Sequence, residues 1–415
     1  MEPTFYNILP SGLKIVHRHT VSEVAYIGVM TGAGTRNETP NINGIAHYIE
    51  HCVFKGAERN GRPVSARQII RKIEDVGGEI NAYTTKEETA FYAAVPKQYL
   101  SRTLQLLAAM VQHPTFPKKE TDKEVQVIYD EIESYNDSPS ELIYDDFENM
   151  LFDGSSLALP ILGTHKTLRH ISRNADTALQ WMHRHYLPQK TVVFCQSDSK
   201  PSAFDTLVRK AFDDWQISET PTEMPQTYTT AVKDTFRSFK KHTHQAHVMM
   251  GGLSYPLGHK DQLAMYLLNN ILGGGSLSSR LNLNLREQHG LVYTIESQYT
   301  PLSDTGYWNI YFASEPQHQE ECIKHIREEL TRLTDKRLSQ TQFQRALIQL
   351  HGQMAISAEN RENDFLSMGK MMLYHNNAPT WQETFRKITQ LTPDDLFRVA
   401  NEMFRENTIS TLLYE

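Results

Sequence analysis

The sequence predicts an α+β chain built from two similar halves joined by a linker, and three observations carry that expectation. Apolar residues recur with strand-like and helix-like periods in alternating segments. A polar, proline-bearing stretch interrupts them near the middle. Beyond it the order of elements starts again.

The first half opens with a hairpin turning at Ser11-Gly12, a strand around Val24–Met30 and a helix over 42–55. A helix from Ser65 to Val76, strands within 79–95 and a helix over 98–112 follow. The stretch 117–136 is rich in helix formers, with Val125, Ile128 and Ile132 at helical spacing, and helix continues to about residue 150. A helix over 175–186 then leads into the strand Thr191–Cys195. Ser218, Thr220, Pro221, Thr222, Pro225 and Thr229 mark a linker. This divides the chain into a domain 1–215, a linker 216–235 and a domain 236–415. In the second domain we expect a strand over 246–252, a loop with Pro256 and Gly258, and an apolar helix over 260–272. Glycines, a further helix, strands within 292–313 and helices over 316–334, 339–357 and 360–373 complete the copy.

At 415 residues the chain is too long for one ordinary core. A formal net charge of −7 offers no basic footprint for nucleic acid, and Lys118-Lys119 and Lys240-Lys241 read as solvated faces. No apolar stretch reaches membrane-spanning length, and the start Met1-Glu2-Pro3-Thr4-Phe5 lacks the pattern of a secretory signal, so a cytoplasmic protein without membrane contact is expected. Cys52, Cys195 and Cys322 are odd in number and widely spaced, which suits a reducing compartment. Cys52 adjoins His51, but i+1 on a helix points away from the i, i+4 face.

The chemistry concentrates in Gly44-Ile45-Ala46-His47-Tyr48-Ile49-Glu50-His51. His47, Glu50 and His51 stand at i, i+3 and i+4 and share one helix face. Two neutral imidazoles there can grip one zinc, with a carboxylate beside them to work on bound water. The bland alternative is two surface histidines and a glutamate on a solvated helix. The order H-x-x-E-H inverts the commoner H-E-x-x-H and is the inverzincin signature. A catalytic zinc needs a third protein ligand, and the helix over 117–136 supplies carboxylates. Glu124 and Glu131 are two turns apart and share a face, so one could bind the metal while the other orients a histidine. Asp130 and Glu133 lie about one residue off that face.

The whole arrangement resembles the M16 metallopeptidases, whose members carry H-x-x-E-H followed by E-x6-E on a later helix. The resemblance implies two homologous α/β-sandwich domains, each an antiparallel or mixed sheet with helices packed on it. It makes His47, His51 and Glu131 the ligands of one zinc per chain, Glu50 the catalytic base and Glu124 the orienting carboxylate; manganese or cobalt could occupy the same ligands. The separation to Glu131 is a few residues longer than is usual in the family. Ala57-Glu58-Arg59-Asn60-Gly61-Arg62-Pro63, which reads as a loop, takes up that length.

Further stretches are similar to the family's. Gly32–Glu38 resembles its loop before the zinc helix and Val53-Phe54-Lys55-Gly56 the exit from it. Gly77–Thr84 resembles the strand that pairs edge-on with peptide, so Asn81, Ala82, Tyr83 and Thr84 are expected to bind substrate. The same segment also reads as a core hairpin, with Phe91, Tyr92 and Val95 inside. Gly273-Gly274-Gly275 followed by Arg286 and Tyr293 resembles the family's glycine loop and R-x6-Y pair; no Walker lysine supports a phosphate loop. By that match Arg286 holds substrate main chain and Tyr293 helps stabilise the oxyanion. Where a second zinc helix would fall the chain reads Ala264-Met265-Tyr266-Leu267-Leu268-Asn269-Asn270, so no second metal is expected.

The resemblance implies an endopeptidase cutting unfolded peptides of intermediate length inside a closed chamber. It also implies a homodimer in which Arg286 and Tyr293 of one subunit face the zinc of the other, with a heterodimer with an M16-like partner as the alternative. A dedicated processing peptidase and a non-catalytic structural subunit are the rival readings, and intact His47, Glu50, His51 and Glu131 speak against the latter.

Overall fold

The computed structural model describes residues 4–213, 215, 234–241 and 243–415. The expected linker residues 216–233, including Ser218, Thr220, Pro221, Thr222, Pro225 and Thr229, lie outside the described residues. Strands β1 to β8 are Phe5–Ile8, Lys14–His19, Val24–Thr31, Gly56–Arg59, Arg62–Ser65, Glu79–Thr84, Thr89–Pro96 and Thr191–Ser197. Strands β9 to β13 are Phe236–Phe239, Ala246–Ser254, Val292–Pro301, Gly306–Ser314 and Ser410–Tyr414. Helices α1 to α7 are Ile45–Val53, Ala66–Glu74, Leu100–Gln112, Lys118–Asn136, Pro139–Leu151, His165–Ser172 and Ala175–His185. Helices α8 to α14 are Pro201–Ala211, Gln262–Gly273, Gln319–Asp335, Gln340–Glu359, Arg361–His375, Trp381–Ile388 and Pro393–Met403.

The first unit's sheet runs β1-β2-β8-β3-β7-β6 and the second's β11-β12-β10-β13-β9. Reversing the second list gives β9-β13-β10-β12-β11, which matches β2-β8-β3-β7-β6 strand for strand. The directions match too: β2 and β8 are parallel, as are β9 and β13, and the other pairs are antiparallel. The second half is therefore a copy of the first in topology, as the restarting sequence pattern led us to expect.

Two segments depart from a division of the chain at its midpoint. Ser134–Ala158, with α5, belongs to the second unit, and Ala358–Pro379, with α12, belongs to the first. In the first unit α12 packs on β8, β3 and β2, and in the second α5 packs on β10 and β13. Each sheet thus has helices on both faces. Phe194 of β8 shows how closely α12 approaches: a Cβ on Gly28 of β3 or on Gly369 of α12 would lie 2.5 Å or 2.8 Å from its ring. Burial on two faces makes β8 and β12 apolar or buried along their whole length, which suppresses alternation. Each fully buried side chain such as Phe91, Phe194 or Trp308 contributes about 1.5–3 kcal/mol.

The segment read as a loop, 57–63, is instead a β-hairpin of β4 and β5. Its turn residues Asn60 and Gly61 have φ of 50° and 69°, the left-handed pair that a two-residue turn matching strand twist requires. Helices α6, α8, α13 and α14 and strands β9 and β13 are additions to the expected elements.

Candidate metal centre

Helix α1 is fixed at its N-terminal end. Gly44, at φ +90°, starts it where a Cβ would lie 2.8 Å from Leu162 O and Gly163 Cα. The buried Glu38 carboxylate accepts from Gly44 N (2.7 Å), Ala46 N (2.8 Å) and Asn43 Nδ2 (2.9 Å), satisfying donors that the helix cannot. Burial pushes the Glu38 carboxyl up, to about 8, with these three donors opposing the rise. Ile45, Ile49, Cys52 and Val53 anchor the helix in the core. Burial pushes the Cys52 thiol up, to about 12, so it is an inert packing group.

The opposite face carries His47, Glu50 and His51. The two imidazole rings stand 4.6 Å apart. His47 Nε2 lies 3.7 Å and His51 Nε2 3.6 Å from Glu131 Oε2 of α4. His47, His51 and Glu131 form the one group among the described residues whose ligand atoms all lie within 4.8 Å of one another. Atoms at tetrahedral positions around a zinc, 2.0–2.1 Å from it, are separated by about 3.3–3.4 Å. The two imidazole–carboxylate separations meet that spacing to within about 0.4 Å, and both are too long for hydrogen bonds. Burial, then the neighbouring His51, pushes His47 down to about 3, so its imidazole is neutral and has a lone pair to give.

Glu124 has both oxygens committed elsewhere. Its Oε2 is 3.2 Å from His51 Nδ1 and its Oε1 is 2.8 Å from Lys55 Nζ. A carboxylate can only accept, so Nδ1 donates and Nε2 is left to face Glu131. Asp130 accepts from Gln126 (3.1 Å) and Glu133 reaches His165 (3.0 Å), so neither alternative carboxylate joins the group.

Glu50 Oε2 accepts a 2.5 Å hydrogen bond from Thr84 Oγ at the end of β6. Burial raises the Glu50 carboxyl, Thr84 and His51 pull it back, and Glu131 adds to the rise. Strand β6 is an edge strand of its sheet among the described residues. Its side chains alternate: Ala82 packs on the α1 side of the sheet and Tyr83 on the α12 side, against Tyr92, while Asn81 is exposed.

Arg286 and Tyr293 belong to the second unit. Arg286 lies in a π-helical segment, Asn282–Gln288, and its guanidinium is 5.2 Å from the Tyr293 ring centroid. The β11–β12 register shifts between Val292 and Thr294, so Tyr293 is the extra residue of a β-bulge and is 77% exposed. A bulge turned outward re-aims a side chain in this way.

Sequence reasoning missed three supporting residues. Lys55 stands four residues after His51, an offset that could have revealed it. Thr84 was assigned to substrate and also braces Glu50. Glu38 reaches the helix across a loop, and no local spacing marks it.

An inverted H-x-x-E-H helix inside a duplicated α+β unit defines a metallopeptidase-type architecture. The chain belongs to the M16 peptidase family: residues 14–165 match the profile described as insulinase, peptidase family M16, and residues 173–350 match the peptidase M16 inactive domain. It is 33% identical over 407 residues to the uncharacterized zinc protease YmxG of Bacillus subtilis, covering 97% of this chain and 96% of that one. An uncharacterized zinc protease of Streptomyces coelicolor is 31% identical over 403 residues, 95% of this chain and 86% of that one. In fold, the chain is similar to a protease from Helicobacter pylori, with TM-score 0.91, 22% identity and 100% of both chains covered. A peptidase M16 inactive domain from Pseudomonas fluorescens aligns with TM-score 0.87 at 18% identity over 99% of this chain and 97% of that one. Among the described residues no helix is long and apolar enough to cross a membrane.

Proposed function

We propose that the protein is a zinc-dependent endopeptidase that cuts unfolded peptides of intermediate length in a closed chamber. The observation that carries the reading is the convergence of His47 Nε2, His51 Nε2 and Glu131 Oε2 beside Glu50. Bound at those three atoms, zinc supplies Lewis acidity that lowers the pKa of water and polarises a carbonyl.

This chain's residues do the rest. An extended peptide adds to the edge of β6 through main-chain hydrogen bonds, which bind with little side-chain selectivity. Laid along β6 it passes Thr84 and therefore Glu50. Glu50, held by Thr84, takes the proton of the attacking water and returns it to the leaving amine. Glu124, braced by Lys55, keeps His51 in the tautomer that presents Nε2. Arg286 holds substrate main chain and Tyr293 donates to the oxyanion, both contributed across a homodimer.

The test is cleavage of a long quenched fluorescent peptide by purified protein, with metal content measured beside the Glu50→Gln variant. The reading expects about one zinc per chain, in line with a single three-ligand cluster, and turnover that the variant loses while keeping its zinc. Zinc without turnover would favour a missing partner subunit, and no metal would favour a structural role. Cuts scattered over a peptide library support degradation, whereas one sequence context would favour a processing peptidase.

A further inference from the structure

The turn that joins β6 to β7 carries three charged residues in a row, Lys86, Glu87 and Glu88, and all three are buried, at 7%, 8% and 2% exposure. Hairpin turns ordinarily lie in solvent, and buried charges persist only when each is paired. Each of these is. Lys86 Nζ donates to Leu159 O (2.7 Å) and Glu87 accepts from Arg36 (2.5 Å). Glu88 is gripped twice by α12: Lys370 Nζ lies 2.7 Å from its Oε1, and the Tyr374 hydroxyl donates to its Oε2 at 2.6 Å. Lys370 and Tyr374 are four apart and share a helix face. They stand 282 and 286 residues beyond Glu88 in the chain, yet all three belong to the first unit.

The residues that this turn closes on are Thr84 and Thr89, opposite each other in the β6–β7 register. Thr84 gives its one hydroxyl hydrogen to Glu50 (2.5 Å), and Thr89 gives its own to Ala33 O (2.9 Å). Neither has a hydrogen left for the other across their 3.4 Å separation, so where Thr84 stands is set by the backbone that carries it. That backbone is closed by Thr85 N donating to Glu88 O (2.8 Å) and Glu88 N donating to Thr85 Oγ (3.1 Å). Glu88 thus ties the turn to β6 through its main chain and to α12 through its side chain. Helix α12 supports β6 directly as well, since Tyr83 and Tyr374 pack against the same apolar cluster as Phe365, Met368, Met372 and Leu373.

We propose that Glu88 is a positioning residue: held by Lys370 and Tyr374, it fixes the β6–β7 turn and so keeps Thr84 within hydrogen-bonding reach of Glu50. For the catalytic role of Glu50 this rests on the peptidase reading, whereas the clamp itself consists of contacts within the first unit. The exchange of α12 then has a consequence for the site. A helix from the second half of the sequence completes the support of a base carried by the first half.

Tyr374→Phe and Lys370→Met each remove one grip on Glu88 while keeping the bulk of the side chain. Arg361→Gln, which frees the other end of α12 from Ser22 and Val24, is the control. Amide hydrogen exchange is followed on the metal-free, full-length protein after thermal melting has shown each variant to be folded. Exchange at Thr85 and Glu88 should quicken about tenfold in Tyr374→Phe and Lys370→Met, the scale of a lost hydrogen bond to a charged group, and change less than about twofold in the control. Peptide turnover is then read on the zinc-loaded protein, where kcat should fall about tenfold in Tyr374→Phe with KM within about threefold. Adding Tyr374→Phe to Thr84→Val should cost less than about twofold more, because the group being positioned is gone. Unchanged exchange at Thr85 and Glu88, an equal response in Arg361→Gln, or a kcat loss that is the same with and without Thr84 would overturn the clamp. An exchange response in a protein that turns over no peptide would uphold the clamp and contradict the peptidase reading.

Discussion

Helices α1 and α9 occupy equivalent places in the two units and have opposite chemistry. Each follows the strand third from the same end of the shared five-strand order, β3 in one unit and β10 in the other. Helix α9 turns one buried polar side chain inward, Asn269, and both ends of its amide are used: Nδ2 donates to Ser297 O (3.0 Å) and Oδ1 accepts from Ser297 Oγ (2.5 Å). Helix α1 turns in His47 and His51, whose Nε2 atoms converge on Glu131 without closing a hydrogen bond. A buried polar group whose partners all belong to the chain is part of the scaffold. Groups that converge and leave a gap between them await a ligand.

The largest effect expected from this contrast is chemical. Glu50→Gln should lower kcat/KM by about 10²–10⁴-fold with zinc content unchanged. A comparable loss from any substitution on α9 would break the contrast.

A second test uses His17, a scaffold histidine of the first unit. Its Nε2 pairs with Ser197 Oγ at 3.0 Å and its Nδ1 is buried without a partner. Burial, then His19, pushes it down to about 4. Its folded-state pKa lies below the unfolded value of about 6.5, so the neutral ring's contribution is complete above pH 6.5 and is lost as pH falls towards 4. The loss amounts to at most about 3 kcal/mol. Urea unfolding in EDTA across that window should show a steeper acid decline in wild type than in His17→Gln; parallel curves would contradict the assignment.

Asn269→Ala should cost about 1–3 kcal/mol in urea unfolding, because it strands two buried Ser297 groups, and should leave metal content alone. The smallest effect belongs to Lys55→Met, which frees one Glu124 oxygen and loosens the hold on His51. Zinc affinity should fall by about tenfold in a chelator competition, the lower end of what outer partners contribute. An unchanged affinity would show that Lys55 only packs.

Much of this was legible in the sequence. The duplicated pattern announced two copies of one topology. His47, Glu50 and His51 were readable because they fall within one helical turn, and Glu124 and Glu131 because their helix is long and regular. What stayed hidden depends on partners distant in the chain. A helical period shows that α5 and α12 bury one face but not which sheet receives it, so their exchange between units could not be read. Glu38 caps α1 from beyond a loop. Some signals were present and unread: Asn60-Gly61 is a hairpin turn, and the capping boxes Thr380/Glu383 and Thr392/Asp395 mark the starts of α13 and α14. Net charge hid the run of cations from Arg59 to Lys72, since it averages over a chain whose cations are locally concentrated.

The central claim, that α1 holds a ligand and α9 does not, is tested most directly by zinc content measured by plasma emission on wild type, His51→Ala and Asn269→Ala. The account predicts about one zinc per chain in wild type and in Asn269→Ala and almost none in His51→Ala, as expected when a three-ligand site loses one ligand. Full zinc in His51→Ala, or loss of it in Asn269→Ala, would contradict the account.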